Sequence, residues 1–464
     1  MHIPTLTFGK IAVELWEYLA MVLLIIALSL LGQQLVRNRA KTDPSWRYFL
    51  PGLWLKLIGG IAFGLIYTLY YRGGDTIGYY ECAMAYVNLL FDDSGDFVTA
   101  MLGGGTPEIK SLFNSRTGSP MSYMFYDEKT RTVIKFCVPF VFLSGKSFFL
   151  STLLVSVATY GGLWRLFRMF VNYFPKYTAN LSVAVLFMPS VVFWGSGILK
   201  DSFTLAATCY FIVATNDLIN TKKRFWPLVG LFVSGFAILA IKPYILLILF
   251  PGTLVWYFYK RIQRIKNAYF RYIIVPGIYT FIVFGSYFAL TAFGDRLGRF
   301  SPDRALQTAA IIQYDLKQDY YEGSSFDIGT IDPTFASVAS KLPAAVTAGL
   351  FRPFIWESRN VVMIFAGLEN LFILLATLYV IIAVRPSVTL GLIKRNPMLL
   401  YCLVFAVLFA FMIGVTTSNF GALARFKIPL IPLYMGALAV VFSYVREHVA
   451  LPHRLRKRNR ILES

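Results

Sequence analysis

The chain has 464 residues, 57% of them hydrophobic and 17% aromatic, with a mean hydropathy of +0.61. Lys and Arg number 44 against 24 Asp and Glu, a net charge of +20. In a soluble protein that excess would point to nucleic acid. Here the basic residues cluster in short segments between apolar runs of about 20 residues, so they read as an orientation signal and nucleic acid is excluded as a partner.

The fold class expected is all-α: a polytopic integral membrane protein, one membrane domain over 1–464, with about eleven transmembrane helices. Leu15 to Val36 makes the first span, followed by Arg37, Arg39, Lys41 and Arg47. Tyr48 to Tyr71 makes the second and runs into Arg72-Gly73-Gly74-Asp75. Residues 72–147 form a first long extracytoplasmic loop, with two segments read as amphipathic interfacial helices, Tyr79 to Phe91 and Thr132 to Leu143. Phe148 to Phe167 crosses back. Thr178 to Gly195 and Ser202 to Ile219 pair as a hairpin, as do Trp226 to Ile241 and Tyr244 to Tyr259. Ala268 to Phe293 leads to a second long extracytoplasmic loop, 294–360, rich in Asp, Tyr and Ser. Val361 to Val384, Met398 to Thr416 and Phe426 to Val445 complete the spans, and 446–464 is a basic cytoplasmic tail. The N-terminus is expected outside and the C-terminus inside, with no removable signal peptide.

The four cysteines (Cys82, Cys137, Cys209, Cys402) show neither metal-ligand spacing nor a disulfide pattern. The three histidines, His2, His448 and His453, lie near the termini, which argues against histidine acid–base chemistry and histidine metal centres. No metal and no cofactor is expected. No Walker motif or dinucleotide fingerprint occurs, and the polar clusters face away from the cytoplasm, so soluble nucleotides are improbable substrates.

The outer ends of the spans collect cations from distant parts of the chain: Arg72, Lys200, Lys242, Arg352, Arg359, Arg425 and Lys427. That is the wrong surface for the orientation rule. Charges there are costly without anionic partners, and a phosphate or diphosphate headgroup supplies one. The alternative is pairing with Asp201, Glu357 and Glu369. Asp201 and Asn419 complete the expected substrate-binding set. With no usable histidine, a general base must be a carboxylate, and Asp75 is the first candidate, at a glycine turn that lets the backbone approach a ligand closely. Glu81 and Glu357 are the further catalytic candidates. The string from Leu350 to Asn360 interleaves aromatic rings with Arg352, Glu357 and Arg359, a composition that suits a sugar ring.

The pattern of a span, then Gly74-Asp75 with Tyr79 and Tyr80, then a long outer loop with amphipathic helices, resembles GT-C-type membrane glycosyltransferases. Arg72 to Tyr80 is also similar to the start of EpsG-like and Wzy-type polysaccharide (O-antigen) polymerases, and Asn419 to Pro432 to their C-terminal ends. The resemblance implies a polyprenyl-linked sugar, such as one on undecaprenyl phosphate, as donor. It implies transfer outside the cytoplasm, in cell-envelope glycan synthesis at the inner (plasma) membrane, and a catalytic aspartate that maps onto Asp75. Membrane lipid and envelope-assembly proteins are the further partners expected. A transporter or flippase for an anionic lipid-linked saccharide is the alternative.

Overall fold

A computed structural model describes residues 6–8, 11–263, 311, 325–329, 334–383 and 386–447. The expected span Ala268 to Phe293, most of the second long loop before residue 325, the three histidines and the basic tail beyond residue 447 lie outside the described residues. Helices dominate, and the strands β1 (Leu6–Phe8) and β2 (Ile11–Val13) form one antiparallel hairpin ahead of the first helix.

The helices follow as α1 (Leu15–Arg39), α2 (Phe49–Leu65), α3 (Asp75–Asp92), α4 (Ser94–Leu102), α5 (Pro107–Lys110), α6 (Ser122–Tyr126), α7 (Glu128–Leu143) and α8 (Phe148–Tyr173). Next come α9 (Thr178–Leu186), α10 (Pro189–Trp194), α11 (Lys200–Asn220), α12 (Phe225–Ile241) and α13 (Pro243–Gln263). The described chain resumes with α14 (Phe335–Ser340), α15 (Leu342–Phe351), α16 (Val361–Ala383), α17 (Pro386–Arg395), α18 (Pro397–Thr416), α19 (Phe420–Phe426) and α20 (Ile431–Val445).

Among the described residues, five helices are long and apolar enough to cross a bilayer: Leu15–Arg39, Pro44–Tyr70, Lys200–Asn220, Val361–Ile382 and Pro397–Thr416. The count becomes seven if each of two bent pairs is one span: α7 with α8, bent by 112°, and α19 with α20, bent by 66°. The chain is therefore a helical protein with several helices of the length and apolarity that a membrane crossing needs.

One local expectation is corrected. Thr178 to Gly195 is not one helix, because α9 stops at Leu186 and α10 starts at Pro189. Proline has no N–H for a preceding turn and disfavours helical geometry at the residue before it, so an apolar run that reads as continuous breaks there. The segment Tyr79 to Phe91 lies within α3, one face of which is buried against α7, and Gly78 admits the Met124 side chain so closely that a β-carbon would stand 2.4 Å from its methyl.

The chain divides into two compact units. The first comprises Met1–Arg168, Val191–Ile212 and Gly230–Lys242. Its basic end is built on Trp46, which packs edge-on to Trp164 and lies under Arg39, with Arg168 bonded to Asp43 at 3.0 Å. The second comprises Met169–Ser190, Val213–Val229 and Pro243–Ser464. Its tightest seam joins α15 and α18. A β-carbon on Gly349 would lie 2.2 Å from the Ala410 carbonyl oxygen, and one on Gly414 would lie 2.1 Å from that of Ala345. Small residues on both helices let the backbones touch, a packing mode suited to a membrane interior where lipid tails are as apolar as leucine.

Candidate functional site

In the first unit, α2 leaves its span through a π-helical turn, Ile66–Tyr70. Gly73 N–H then bonds back to the Tyr67 carbonyl at 3.1 Å, and Gly74 adopts φ 107° as the N-cap of α3. That backbone conformation favours glycine. It makes Asp75 the first residue of α3, half-buried, where the helix dipole favours a carboxylate. Arg72, with φ 51°, is exposed on the same turn.

Lys200 opens α11. Its ammonium donates to Thr130 Oγ1 at 2.7 Å and pairs with Asp127 at 3.5 Å. Asp127 caps α7 by accepting from the Thr130 N–H at 2.8 Å and from the Thr130 hydroxyl. Burial works to raise the Asp127 carboxyl, yet the bonds from Thr130 and the Lys200 charge hold it below its ordinary value. Asp75 lies within electrostatic reach of Lys200 as well, as does Lys242. Asp75 and Glu81 both act on Tyr123, whose side chain is exposed. Next in the chain to Lys200, Asp201 forms a buried ion pair with Lys242, the residue between α12 and α13. Asp75, Glu81, Lys200, Asp201 and Lys242, drawn from three separate stretches of sequence, therefore gather in one unit. Asp127, Thr130 and Tyr123 join them without having been singled out from the sequence.

What holds Lys200 and Asp201 in place is Lys56, wholly buried in α2. Its ammonium donates to the Val191 carbonyl at 3.1 Å and the Gly195 carbonyl at 2.6 Å. Thr159 also donates to the Gly195 carbonyl at 3.2 Å, and Ser156 donates to the Ser196 carbonyl at 2.7 Å. These donors satisfy the carbonyls at the end of α10, which have no further helical turn to bond. Glycines make the approach possible: a β-carbon on Gly59 would meet the Val192 carbonyl oxygen at 2.5 Å, and one on Gly197 the Phe63 ring at 2.1 Å. The turn from Gly195 to Leu199 is thus fixed immediately ahead of Lys200.

Comparison with protein-family models, with curated proteins and with solved structures gives no match. The functional reading consequently rests on the chemistry of the residues.

In the second unit the expected residues bond largely to one another. Arg352 donates through Nε and Nη2 to Glu357, and the Phe354 N–H donates to the same carboxylate at 2.8 Å. The guanidinium also lies over Phe326 at 4.8 Å and Phe420 at 5.6 Å. Lys427, buried, donates to the Arg352 carbonyl at 3.1 Å and to Asn370, which in turn donates to the Pro353 carbonyl at 2.9 Å. Asn419 caps α19 by accepting from the Ala422 N–H at 3.0 Å. Arg425 lies over Phe426 at 5.4 Å, and Arg359 is exposed. Glu369, buried within α16, accepts from both the N–H and the hydroxyl of Ser190 at 2.7 Å. The expected set thus falls into two groups, one in each unit. In the second, Arg352, Glu357, Lys427 and Asn419 hold a turn and a helix start together.

Proposed function

We propose that the protein is a multi-pass enzyme of the inner (plasma) membrane with about eleven spans. It transfers sugar from a polyprenyl (di)phosphate carrier at the extracytoplasmic face, as a glycosyltransferase or polymerase in surface glycan synthesis. The observation that carries this reading is a half-buried carboxylate, Asp75, within electrostatic reach of the Lys200 ammonium at a glycine turn directly after a span. A carboxylate and a cation within electrostatic reach of each other supply both halves of a glycosyl transfer. Asp75 takes the proton from the acceptor hydroxyl as its oxygen bonds to the sugar C1. The bond from C1 to the carrier phosphate breaks, and Lys200, with the exposed Arg72, stabilises the departing anion. The Lys242–Asp201 pair and Lys56 keep Lys200 on station.

The transporter reading draws on the charges inside spans, Lys56 and Glu369, and on the break between α9 and α10. Both charges are hydrogen-bonded to protein, Lys56 to carbonyls and Glu369 to Ser190, so they serve as clamps rather than as the lining of a path. We therefore favour the enzyme.

The test is Asp75→Asn in cells that depend on this chain for a surface glycan. The expected outcome is loss of polymer with normal abundance of the variant in the membrane and accumulation of the lipid-linked precursor on the outer leaflet. Polymer of normal length and amount removes Asp75 from the mechanism. Precursor trapped on the inner leaflet favours transport.

A further inference from the structure

Between α2 and α8 the chain exposes large apolar side chains on helices of which none is by itself long and apolar enough to span. Leu143, ending α7, is 70% exposed, and Phe91, near the end of α3, is 69% exposed. Phe91 stacks on the exposed Phe142 with ring centroids 6.1 Å apart, and the Lys146 ammonium stands 5.1 Å over the Phe91 ring. On α4, Val98 and Leu102 are one turn apart and both exposed, Leu102 to 84%. A soluble surface rarely carries such a patch without a partner.

Two observations say what covers it. The first is continuity. The turn after α7 touches the start of α1: Ser147 donates to Glu17, and a β-carbon on Gly145 would stand 3.4 Å from the Trp16 ring. α1 is long and apolar enough to cross a membrane and almost wholly uncovered by protein, exposing Leu15, Trp16 and Leu19 at this same end. The second is direction. α7 meets α8 at 112°, so the two cannot both run along the bilayer normal; with Phe148 to Phe167 crossing as the sequence leads one to expect, α7 runs near the membrane plane. The positive φ of Gly145 (62°) and Lys146 (67°) makes the sharp corner.

We propose that Phe91, Val98, Leu102, Phe142 and Leu143 seat the α3–α7 segment in the lipid interface of the outer leaflet, with Lys146 at the level of the lipid phosphates. Aromatic and aliphatic side chains backed by a lysine at their rim are the composition that partitions to that depth. The seat fixes α7, whose first turn holds Lys200 through Asp127 and Thr130, at the bilayer surface. The inference stands independently of the sugar-transfer reading.

The experiment uses the full chain in phosphatidylcholine–phosphatidylglycerol vesicles. Phe142→Cys, Leu143→Cys and Leu102→Cys are spin-labelled one at a time. The four native cysteines are buried, and the chain without an added cysteine provides the background. Collision with dissolved oxygen and with a water-soluble nickel chelate present on both sides of the vesicle is compared with Lys222→Cys, an exposed site in the basic turn between α11 and α12. The expected result is an oxygen-to-nickel accessibility ratio about tenfold higher at all three patch sites than at residue 222. Nickel accessibility equal to that at residue 222 overturns the proposal. Low accessibility to both reagents also overturns it, since protein and not lipid would then cover the patch. Three independent sites keep the test decisive if one variant fails to fold.

Discussion

Replacing Lys56 by methionine keeps an unbranched side chain one atom shorter and removes its three donors. In the wild-type protein the ammonium serves the carbonyls of Val191 and Gly195. After the substitution the Gly195 carbonyl still receives the Thr159 hydroxyl, whereas the Val191 carbonyl loses the Lys56 donor. A buried acceptor left unsatisfied costs roughly 1–3 kcal/mol, and bonds from a charged donor are worth about as much again. Against this stands relief from burying a cation, which is also several kcal/mol in size. Because the Val191 and Gly195 carbonyls both accept from the ammonium, the loss dominates, and a net destabilisation of about 2 kcal/mol is expected. Thermal denaturation of the purified protein in detergent, followed by the fraction remaining monodisperse, reads it out. Adding Thr159→Val strips the second donor from Gly195, so the double variant falls by more than the sum of the single ones. A Lys56→Met protein as stable as wild type, or additive behaviour with Thr159→Val, refutes the clamp.

The seam between α15 and α18 is equally exposed to test. Gly349→Leu or Gly414→Leu forces apart backbones that already touch, with an expected cost of at least about 2 kcal/mol in the same assay, while Gly391→Leu, with open space around it, changes nothing. Glu357→Ala leaves the Arg352 guanidinium and the Phe354 N–H without their acceptor and is expected to destabilise the second unit more than Arg359→Ala, whose side chain is exposed. Asp127 provides a pH signature. Its carboxyl is held below the ordinary value, so its stabilising contribution is complete above that ordinary value and is lost as the pH falls through the depressed one. Wild type therefore loses thermal stability relative to Asp127→Asn as the solution becomes acid, and parallel curves for the two proteins would contradict the pairing with Lys200 and Thr130.

How much was legible in the sequence follows from the range of each interaction. Apolar length alone decides whether a helix can cross a bilayer, so α1, α2, α11, α16 and α18 could be read directly. The break at Pro189 carried its own signal, but the surrounding run of apolar residues masked it. Arg352 and Glu357 are five residues apart, and their pairing was visible as an alternative to phosphate binding. The Asp127 cap was also readable, since an aspartate followed by an acidic first turn, here Glu128, ahead of an apolar-periodic run is an N-terminal signature. Lys56 was not. Its partners lie 135 and 139 residues away, and they are backbone carbonyls, which leave no trace in side-chain identity. Nor could the sequence divide the outer cations between the two units, because that depends on which helices pack together.

The central claim is that Asp75 and Lys200 form a site for a lipid-linked phosphate. The most direct measurement is the binding of undecaprenyl phosphate to the purified protein, with undecaprenol as the uncharged control and Lys200→Arg and Lys200→Ala as variants. The account predicts saturable binding that requires the phosphate, is largely kept by Lys200→Arg and is weakened about tenfold or more by Lys200→Ala. Equal binding of undecaprenol, or undiminished binding by Lys200→Ala, would contradict it.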